Sequence, residues 1–147
     1  MTTITAVSDS LRLCIALFRA QAVLSRRFDG RLGSWHGMSF GDFIVLLHIS
    51  RAEDARLRRV DLARELGLTA SAVTRILIPL EKIGLVSRQT DENDGRVGYA
   101  VLTKAGREIL REALASAEMI SEEVVGPPPK AAARLAEVEK FLGGVQP

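Results

Sequence analysis

The sequence predicts a mainly α-helical protein that contains one small β-hairpin. Apolar side chains recur at helical spacing through most of the 147 residues. Two short runs with strand character, 85–89 and 97–102, flank a polar segment that is rich in Asp, Asn and Gly. Because 147 residues is the size of one ordinary domain, we expect a single domain.

The first helix is predicted over 8–32, where apolar residues form two stripes. The stripes comprise Leu11, Ile15, Phe18 and Ala22 on one side, and Leu13, Leu17, Leu24 and Phe28 on the other. A helix with two apolar stripes is buried on two sides, and in a chain this small a second subunit is a natural cover for one of them. Gly30, Gly33 and Gly37 are expected to break the stretch that follows.

Capping signals divide the middle of the chain into short helices. Ser39, followed by Asp42 three positions on, predicts the start of one helix. A second helix is predicted over 57–66, and Gly67 ends it because glycine readily adopts the left-handed C-terminal conformation.

Thr69 caps a third helix that runs to Gly84. Its apolar stripe consists of Val73, Ile76, Leu77 and Leu80. Pro79 lies inside this helix and is expected to bend it, because proline removes one backbone hydrogen bond and crowds the preceding turn.

The hairpin and two C-terminal helices complete the predicted order. Segment 90–96 forms the polar tip between the two strands, and Thr103 caps a long helix that reaches about residue 125. The run 126–129 reads Gly-Pro-Pro-Pro and must end that helix. The last amphipathic helix carries Leu135, Val138 and Phe141.

Two short helices joined by a tight turn and followed by a β-hairpin form a winged helix-turn-helix. Its second helix presents N-terminal residues to the major groove of DNA. With the apolar stripe inward, Ser71, Thr74 and Arg75 face outward, where they can bond bases and phosphates. Arg96, at the hairpin tip, can enter the narrow minor groove beside that helix. The sequence therefore predicts binding of duplex DNA.

Charge and hydropathy fit this interpretation. The net charge of +2 is small, but basic residues gather in 56–59 and 75–96, whereas acidic residues gather after residue 107. This division suits a DNA-reading unit attached to something else. No apolar run is long enough for a membrane span and no signal-peptide pattern opens the chain, so we expect no membrane partner and a cytoplasmic protein.

The sequence contains no motif that is typical of a catalytic or metal-binding site. One cysteine excludes an intramolecular disulfide, and Cys14 with His36 and His48 cannot build a Cys-rich zinc site within one chain. There is no Ser-His-Asp order, no Gly-rich phosphate loop and no recognisable carboxylate pair. We therefore expect neither an enzyme nor a bound cofactor or metal.

The stretch 69–106 resembles the signature of the multiple antibiotic resistance regulator (MarR) family of transcriptional regulators. The matching elements are Val73-Thr74-Arg75, Leu80-Glu81, Gly84-Leu85-Val86, Arg88, Asp94-Gly95-Arg96, and Leu102-Thr103 with Gly106. The resemblance implies a single MarR-type domain over 1–147. A winged helix-turn-helix lobe would span 38–103, with dimerisation helices over 8–32 and 104–147.

The resemblance also implies roles for individual residues. Arg96 would enter the minor groove, and Asp94 would orient it by a salt bridge shared with Arg88. Ser71, Thr74 and Arg75 would face the major groove or its phosphates. The N-terminal and C-terminal helices would intertwine with a second subunit. The homodimer would then place two reading helices on successive turns of a pseudo-palindromic operator, ~34 Å apart.

Cys14 raises the alternative of a thiol-based peroxide sensor. The segment 13–18 resembles the N-terminal helix of the organic hydroperoxide resistance regulators, in which two tyrosine hydroxyls hold the reactive thiolate. The corresponding positions here are Phe28 and Phe40, which have no hydroxyl. The other interpretation is a cysteine packed as a small apolar residue, and the missing hydroxyls favour it.

A small effector is the main predicted signal. In the MarR family, ligands such as aromatic acids or phenols bind between the dimerising helices and the winged lobe. Trp35, His36, Phe40 and Phe43 lie at that junction in the sequence, and they are equally explained as core residues. We therefore predict a repressor that a small aromatic or acidic effector releases from DNA. The alternative of another class is a winged-helix module that binds a protein partner and no DNA.

Overall fold

The structure is a computed structural model that describes residues 6–145, and within them it is mainly helical with one antiparallel sheet. The elements in chain order are α1 (Asp9–His36), α2 (Phe40–Arg51), a 3₁₀ turn (Glu53–Ala55), β1 (Arg56–Arg58), α3 (Arg59–Leu66), α4 (Ala70–Lys82), β2 (Val86–Thr90), β3 (Gly98–Leu102), α5 (Lys104–Val125) and α6 (Pro128–Gly144). The predicted fold class, mainly α with a small β-hairpin wing, is confirmed.

Side-chain caps fix where α2, α4 and α5 begin. Ser39 and Asp42 form a reciprocal capping box at α2, with N–H···O distances of 3.0 and 2.9 Å. Thr69 Oγ1 accepts from the Ala72 amide at 3.1 Å, at the start of α4. Thr103 caps α5 in the same way. All three were predicted, because a cap depends only on residues three positions apart.

Helix α1 is longer than predicted. It passes through Gly30 and Gly33 without a break and ends at Gly37, whose φ is 66°. Phe28 and Leu32 are buried against the core. Burial of two large side chains outweighs the cost of about 1 kcal/mol that a glycine adds inside a helix. The predicted break before Gly37 is therefore wrong.

The sheet has a third strand that was not predicted. Arg56–Arg58 forms β1, so the helix expected from residue 57 begins only at Arg59. The strand order is β1-β3-β2, and Leu57 lies opposite Ala100. A three-residue strand carries no readable periodicity, and its partner is distant in sequence, so only the tertiary fold defines it.

Helix α4 runs through Pro79 as one helix. Val73, Leu77 and Leu80 of its apolar stripe are buried, and Ile76 is half-buried. Pro79 is exposed, so water can reach the Arg75 carbonyl that proline leaves without a backbone donor. The proline lies C-terminal to Arg75 and does not interrupt the helix that the sequence predicted.

The hydrophobic core lies within the winged lobe and extends to the parts of α1 and α5 that pack against it. Its largest fully buried side chains come from α1, α2, α3, α4 and α5: Leu32, Leu46, Ile49, Leu62, Leu80 and Ile120. Helix α6 and the part of α1 before Phe28 contribute no buried side chain. None of the helices within residues 6–145 combines the length and hydropathy that crossing a bilayer requires.

Candidate nucleic-acid interface

A groove of about 250 Å³ separates helix α4 from the hairpin. Four of its lining side chains suit nucleic acid, namely Arg59, Thr74, Arg88 and Arg96. Glu81 is the one carboxylate that lines the groove. Three guanidinium groups against one carboxylate give the groove a positive balance, which suits a phosphate backbone.

Arg96 lies at the hairpin tip, beside Asp94. Its Nε donates to Asp94 Oδ1 at 3.2 Å, and its backbone N–H donates to the same oxygen at 3.0 Å. The Arg96 side chain is 93% exposed. An exposed ion pair adds little to folding stability, so the main effect of this contact is to orient a guanidinium that projects into solvent.

Asp91 shapes the same tip, and the sequence analysis missed it. Its Oδ1 accepts from the backbone N–H groups of Asn93 and Asp94 at 2.8 and 3.1 Å, and its Oδ2 accepts from the Tyr99 hydroxyl at 3.2 Å. The amide of Asn93, followed by that of Asp94, lowers the pKa of Asp91. An aspartate two residues before an asparagine in a polar hairpin tip is the signal that would have indicated this turn.

Arg88 does not share the salt bridge of Asp94 in this structure. Its Nε lies 3.5 Å from Glu81 Oε1 on α4. Strand β2 packs against α4, whereas Asp94 lies in the tip beyond the end of the strand. That part of the prediction is wrong, because the strand directs Arg88 toward the helix and into the groove.

The predicted reading residues lie on the first two turns of α4. Ser71 and Arg75 are exposed and Thr74 is half-buried. Thr74 Oγ1 donates to the Ala70 carbonyl at 3.0 Å and accepts from Arg59 Nη1 at 3.0 Å. In the sequence Arg59 is only part of a basic run, because its contact with Thr74 arises where α3 packs against α4.

Cys14 is exposed on the N-terminal half of α1. Phe28 lies on the same helix, roughly 21 Å further along at ~1.5 Å per residue, and it stacks on Phe40 with 4.0 Å between ring centroids. The two rings therefore lie far from Cys14 of the same chain. Neither ring offers a hydroxyl to stabilise a thiolate, and the sensor role stays a prediction.

The four predicted effector residues have different surroundings. Phe43 is 5% exposed and packs near Phe40, with ring centroids 6.4 Å apart. His36 Nε2 lies 2.8 Å from Ser116 Oγ of α5, and Trp35 is half-exposed beside the Arg31 guanidinium. Phe43 belongs to the core, while Trp35 and His36 lie at the end of α1. An effector site at this junction stays a prediction.

Comparison with known proteins agrees with the geometry. Residues 39–97, which include α2 through the hairpin tip, match the model of the MarR family. The HTH-type transcriptional repressor YetL of Bacillus subtilis is 32% identical over 111 residues, which is 73% of this chain and 64% of the relative. The chain thus covers slightly less than two thirds of that relative.

Solved structures share the whole fold. The transcriptional regulator BldR from Sulfolobus solfataricus has a TM-score of 0.83 and 26% identity, covering 97% of this chain and 100% of its own. Sco3205, a MarR family regulator from Streptomyces coelicolor solved in complex with DNA, has a TM-score of 0.83 and 24% identity, covering 99% and 93%. Residues 39–97 of this chain thus match the MarR family of transcriptional regulators, and the fold of the described chain is the one that BldR and Sco3205 share.

Proposed function

We propose that this chain binds duplex DNA sequence-specifically as a homodimer and represses transcription until a small effector releases it. The observation that carries the proposal is the groove between α4 and the hairpin, where arginines of three different elements converge. The folding of a small domain does not require arginine side chains to gather in one groove, whereas the binding of a DNA phosphate backbone does.

The two sides of the groove fit two different DNA grooves. The first turns of α4 carry Ser71 and Arg75, whose exposed side chains can contact bases or phosphates of the major groove. The hairpin presents Arg96, held by Asp94, to the adjacent minor groove, where an inserted arginine meets enhanced negative potential. The strand that separates the two DNA grooves would then pass over Arg88.

The terminal helices support a homodimer. Large apolar residues stay exposed on the first half of α1 and on α6, among them Leu11, Ile15, Phe18, Leu135, Val138, Phe141 and Leu142. Large exposed apolar patches are rare on soluble monomers and mark interaction sites. We therefore keep segments 8–32 and 104–147 as the proposed dimerisation helices, and a second copy as their partner.

The effector would bind where the two regions meet. Trp35 and His36 end α1 close to the start of the winged lobe, and Phe40 opens α2. An aromatic or acidic molecule at this junction would contact both regions, so its binding would favour one arrangement of the reading heads. This class of effector stays part of the proposal.

A mobility-shift titration tests the function. The labelled probe is the duplex upstream of the protein's own gene, and wild type is compared with Arg96→Ala. Loss of a base-contacting arginine costs about 2 kcal/mol, and the homodimer loses one from each subunit, so we expect roughly thousandfold weaker binding. Wild-type affinity should also fall steeply with salt, because phosphate contacts release counterions.

The control variant is Arg111→Ala, which removes an exposed arginine of α5 outside the groove. Its affinity should stay within about twofold of wild type, since counterion effects weaken over a Debye length of about 10 Å. Equal affinity of wild type and Arg96→Ala would refute the role of the hairpin tip. Absence of any shift by wild type would favour the protein-interaction module instead.

A further inference from the structure

Thr74 has a more restricted chemistry than a surface threonine. It lies on the second turn of α4, half-buried, in the wall of the groove that faces the hairpin. Arg59, the first residue of α3, reaches it across the helix-turn-helix. The role of Thr74 in base recognition rests on the proposed DNA-binding function.

The hydrogen-bonding capacity of the Thr74 hydroxyl is largely used inside the protein. A hydroxyl has one proton to donate and two lone pairs. The proton goes to the Ala70 carbonyl at 3.0 Å, and one lone pair accepts from Arg59 Nη1 at 3.0 Å. Thr74 therefore has no proton left for a guanine, an adenine N7 or a phosphate oxygen.

Besides one lone pair of the hydroxyl, the γ-methyl group is what Thr74 still offers to DNA. In the major groove, the apolar partner of a threonine methyl is the 5-methyl group of thymine. We propose that Arg59 is a positioning residue that holds Thr74 by its hydroxyl, so that Thr74 reads thymine through methyl–methyl contact. Ser71 and Arg75, which are exposed on the same helix, keep their polar groups for other bases and phosphates.

Arg59 can also contact a DNA phosphate itself, and this role must be distinguished from the positioning of Thr74. Its guanidinium carries five N–H donors, and the one bond to Thr74 leaves the others available at the groove. These can bind the phosphate of the strand above, beside Arg88. Loss of a phosphate contact weakens binding equally for every sequence, whereas loss of the positioning of Thr74 changes only the preference for thymine.

The test replaces thymine by uracil, which lacks only the 5-methyl group. The operator is first selected by wild type from a random duplex library. Each thymine of one half-site is then replaced singly by deoxyuridine, and affinities are measured by fluorescence anisotropy. At one position we expect about fourfold weaker binding, which is the loss that burial of one methyl group implies.

Two substitutions at Thr74 separate methyl from hydroxyl. The uracil-to-thymine ratio is the dissociation constant for the uracil duplex divided by that for the thymine duplex. Thr74→Ser keeps the hydroxyl and loses the methyl group, so this ratio should fall from about four to about one. Thr74→Val keeps a methyl group and loses the hydroxyl, so the ratio should stay near four. Both side chains are close in size to threonine, so both variants should fold as wild type does.

Arg59→Ala tests the positioning role. It should weaken binding to all duplexes, lower the salt dependence by about two counterions, one for each subunit, and also reduce the uracil-to-thymine ratio. Valine needs no orienting because both of its branches are methyl groups, so Thr74→Val in the Arg59→Ala background should restore the ratio. A mere phosphate contact would leave the ratio unchanged.

The outcomes are decisive in both directions. A ratio near one at every thymine for wild type overturns the proposal, as does a ratio that Thr74→Ser keeps or Thr74→Val loses. An unchanged ratio in Arg59→Ala overturns the role of Arg59. If wild type enriches no sequence at all, the proposed DNA-binding function fails, and this inference fails with it.

Discussion

The winged lobe and the terminal helices of this chain are built in opposite ways. In the lobe, apolar side chains of α2, α3 and α4 are buried, with Leu46 and Leu62 fully inaccessible. In α6 and the first half of α1, side chains of the same chemistry stay in solvent, and Phe18 is 74% exposed. Both regions contain amphipathic helices, so they differ in whether the chain itself supplies a surface that covers the apolar side chains.

The contrast separates two sources of stability. The lobe obtains its burial from its own chain, so its integrity depends on packing that a single substitution can break. In the proposed homodimer the terminal helices obtain theirs from a second copy, so their burial depends on protein concentration. Substitutions in the lobe should therefore change the melting temperature, and substitutions in the terminal helices should change the dimer dissociation constant.

Phe18→Ala should have the largest effect. Burial of a phenylalanine contributes about 2 kcal/mol, and a dimer contains two copies, so the dimer dissociation constant should rise about a thousandfold. Ile83→Ala is the matched control, since Ile83 is a similarly exposed apolar residue, at 65%, in the winged lobe. Sedimentation equilibrium measures both. An equal effect of the two variants would abolish the distinction between the regions.

Gly106→Ala, on the first turn of α5 where that helix packs on the lobe, should be the most damaging change to the packing of the lobe. A Cβ at Gly106 would lie 2.2 Å from the Leu85 carbonyl oxygen and 2.7 Å from a methyl group of Leu102. Backbone cannot move aside cheaply, so we expect a loss of about 3 kcal/mol in the free energy of unfolding. Gly98→Ala, where nothing lies within 4 Å, should stay within about 0.5 kcal/mol. Equal free energies of unfolding for the two variants, measured by urea titration, would refute this account.

Asp91→Ala should loosen the hairpin tip without unfolding the lobe. Hydrogen exchange at the amides of Asn93 and Asp94 should become severalfold faster at neutral pH, because both amides lose their acceptor. Glu92→Ala, an exposed neighbour, is the control. Operator affinity should fall with Asp91→Ala and not with the control.

The same contact predicts a pH dependence. The pKa of Asp91 is lowered in the folded protein by the amides of Asn93 and Asp94. A lowered folded pKa means that the stabilisation is present above the unfolded value of about 3.9 and is lost as the pH falls through the folded value. Wild-type exchange at the two amides, corrected for the intrinsic rate, should therefore accelerate only below about pH 4. Acceleration near neutral pH would contradict the assignment.

Cys14→Ser should have the smallest effect. Treatment of the DNA complex with an organic hydroperoxide should release wild type and Cys14→Ser to the same extent, because Phe28 and Phe40 supply no hydroxyl to a thiolate. Release of wild type alone would establish the peroxide sensor. In that case the exposed region of α1 would carry a signal as well as an interface.

Sequence reasoning succeeded where the cause of structure is local. The caps at Ser39, Thr69 and Thr103 and the turn at Gly67 depend on neighbouring residues, and all were predicted. It failed at β1, a strand that only pairing with β3 creates. The same distinction applies to the candidate site.

At the site, the ion pair of Asp94 and Arg96 follows from two nearby positions and the structure contains it. The partner of Arg88 and the contact of Arg59 with Thr74 depend on how β2 and α3 pack against α4, which no spacing reveals. Residues that act through a neighbour on another element are therefore the ones that sequence analysis misses.

The close approach at Gly106 also makes α5 a lever. Thr103 Oγ1 donates to the Gly84 carbonyl at 2.6 Å, and with no side chain at Gly106 the first turn of α5 lies directly on the hairpin base. The helix has 22 residues, so it is roughly 33 Å long. A tilt of about 5° at its far end would displace the hairpin by about 3 Å over that length, close to the rise of one base pair, ~3.4 Å. A small tilt of α5, taken up by repacking of its buried side chains, would thus be enough to move the hairpin by about one base-pair step.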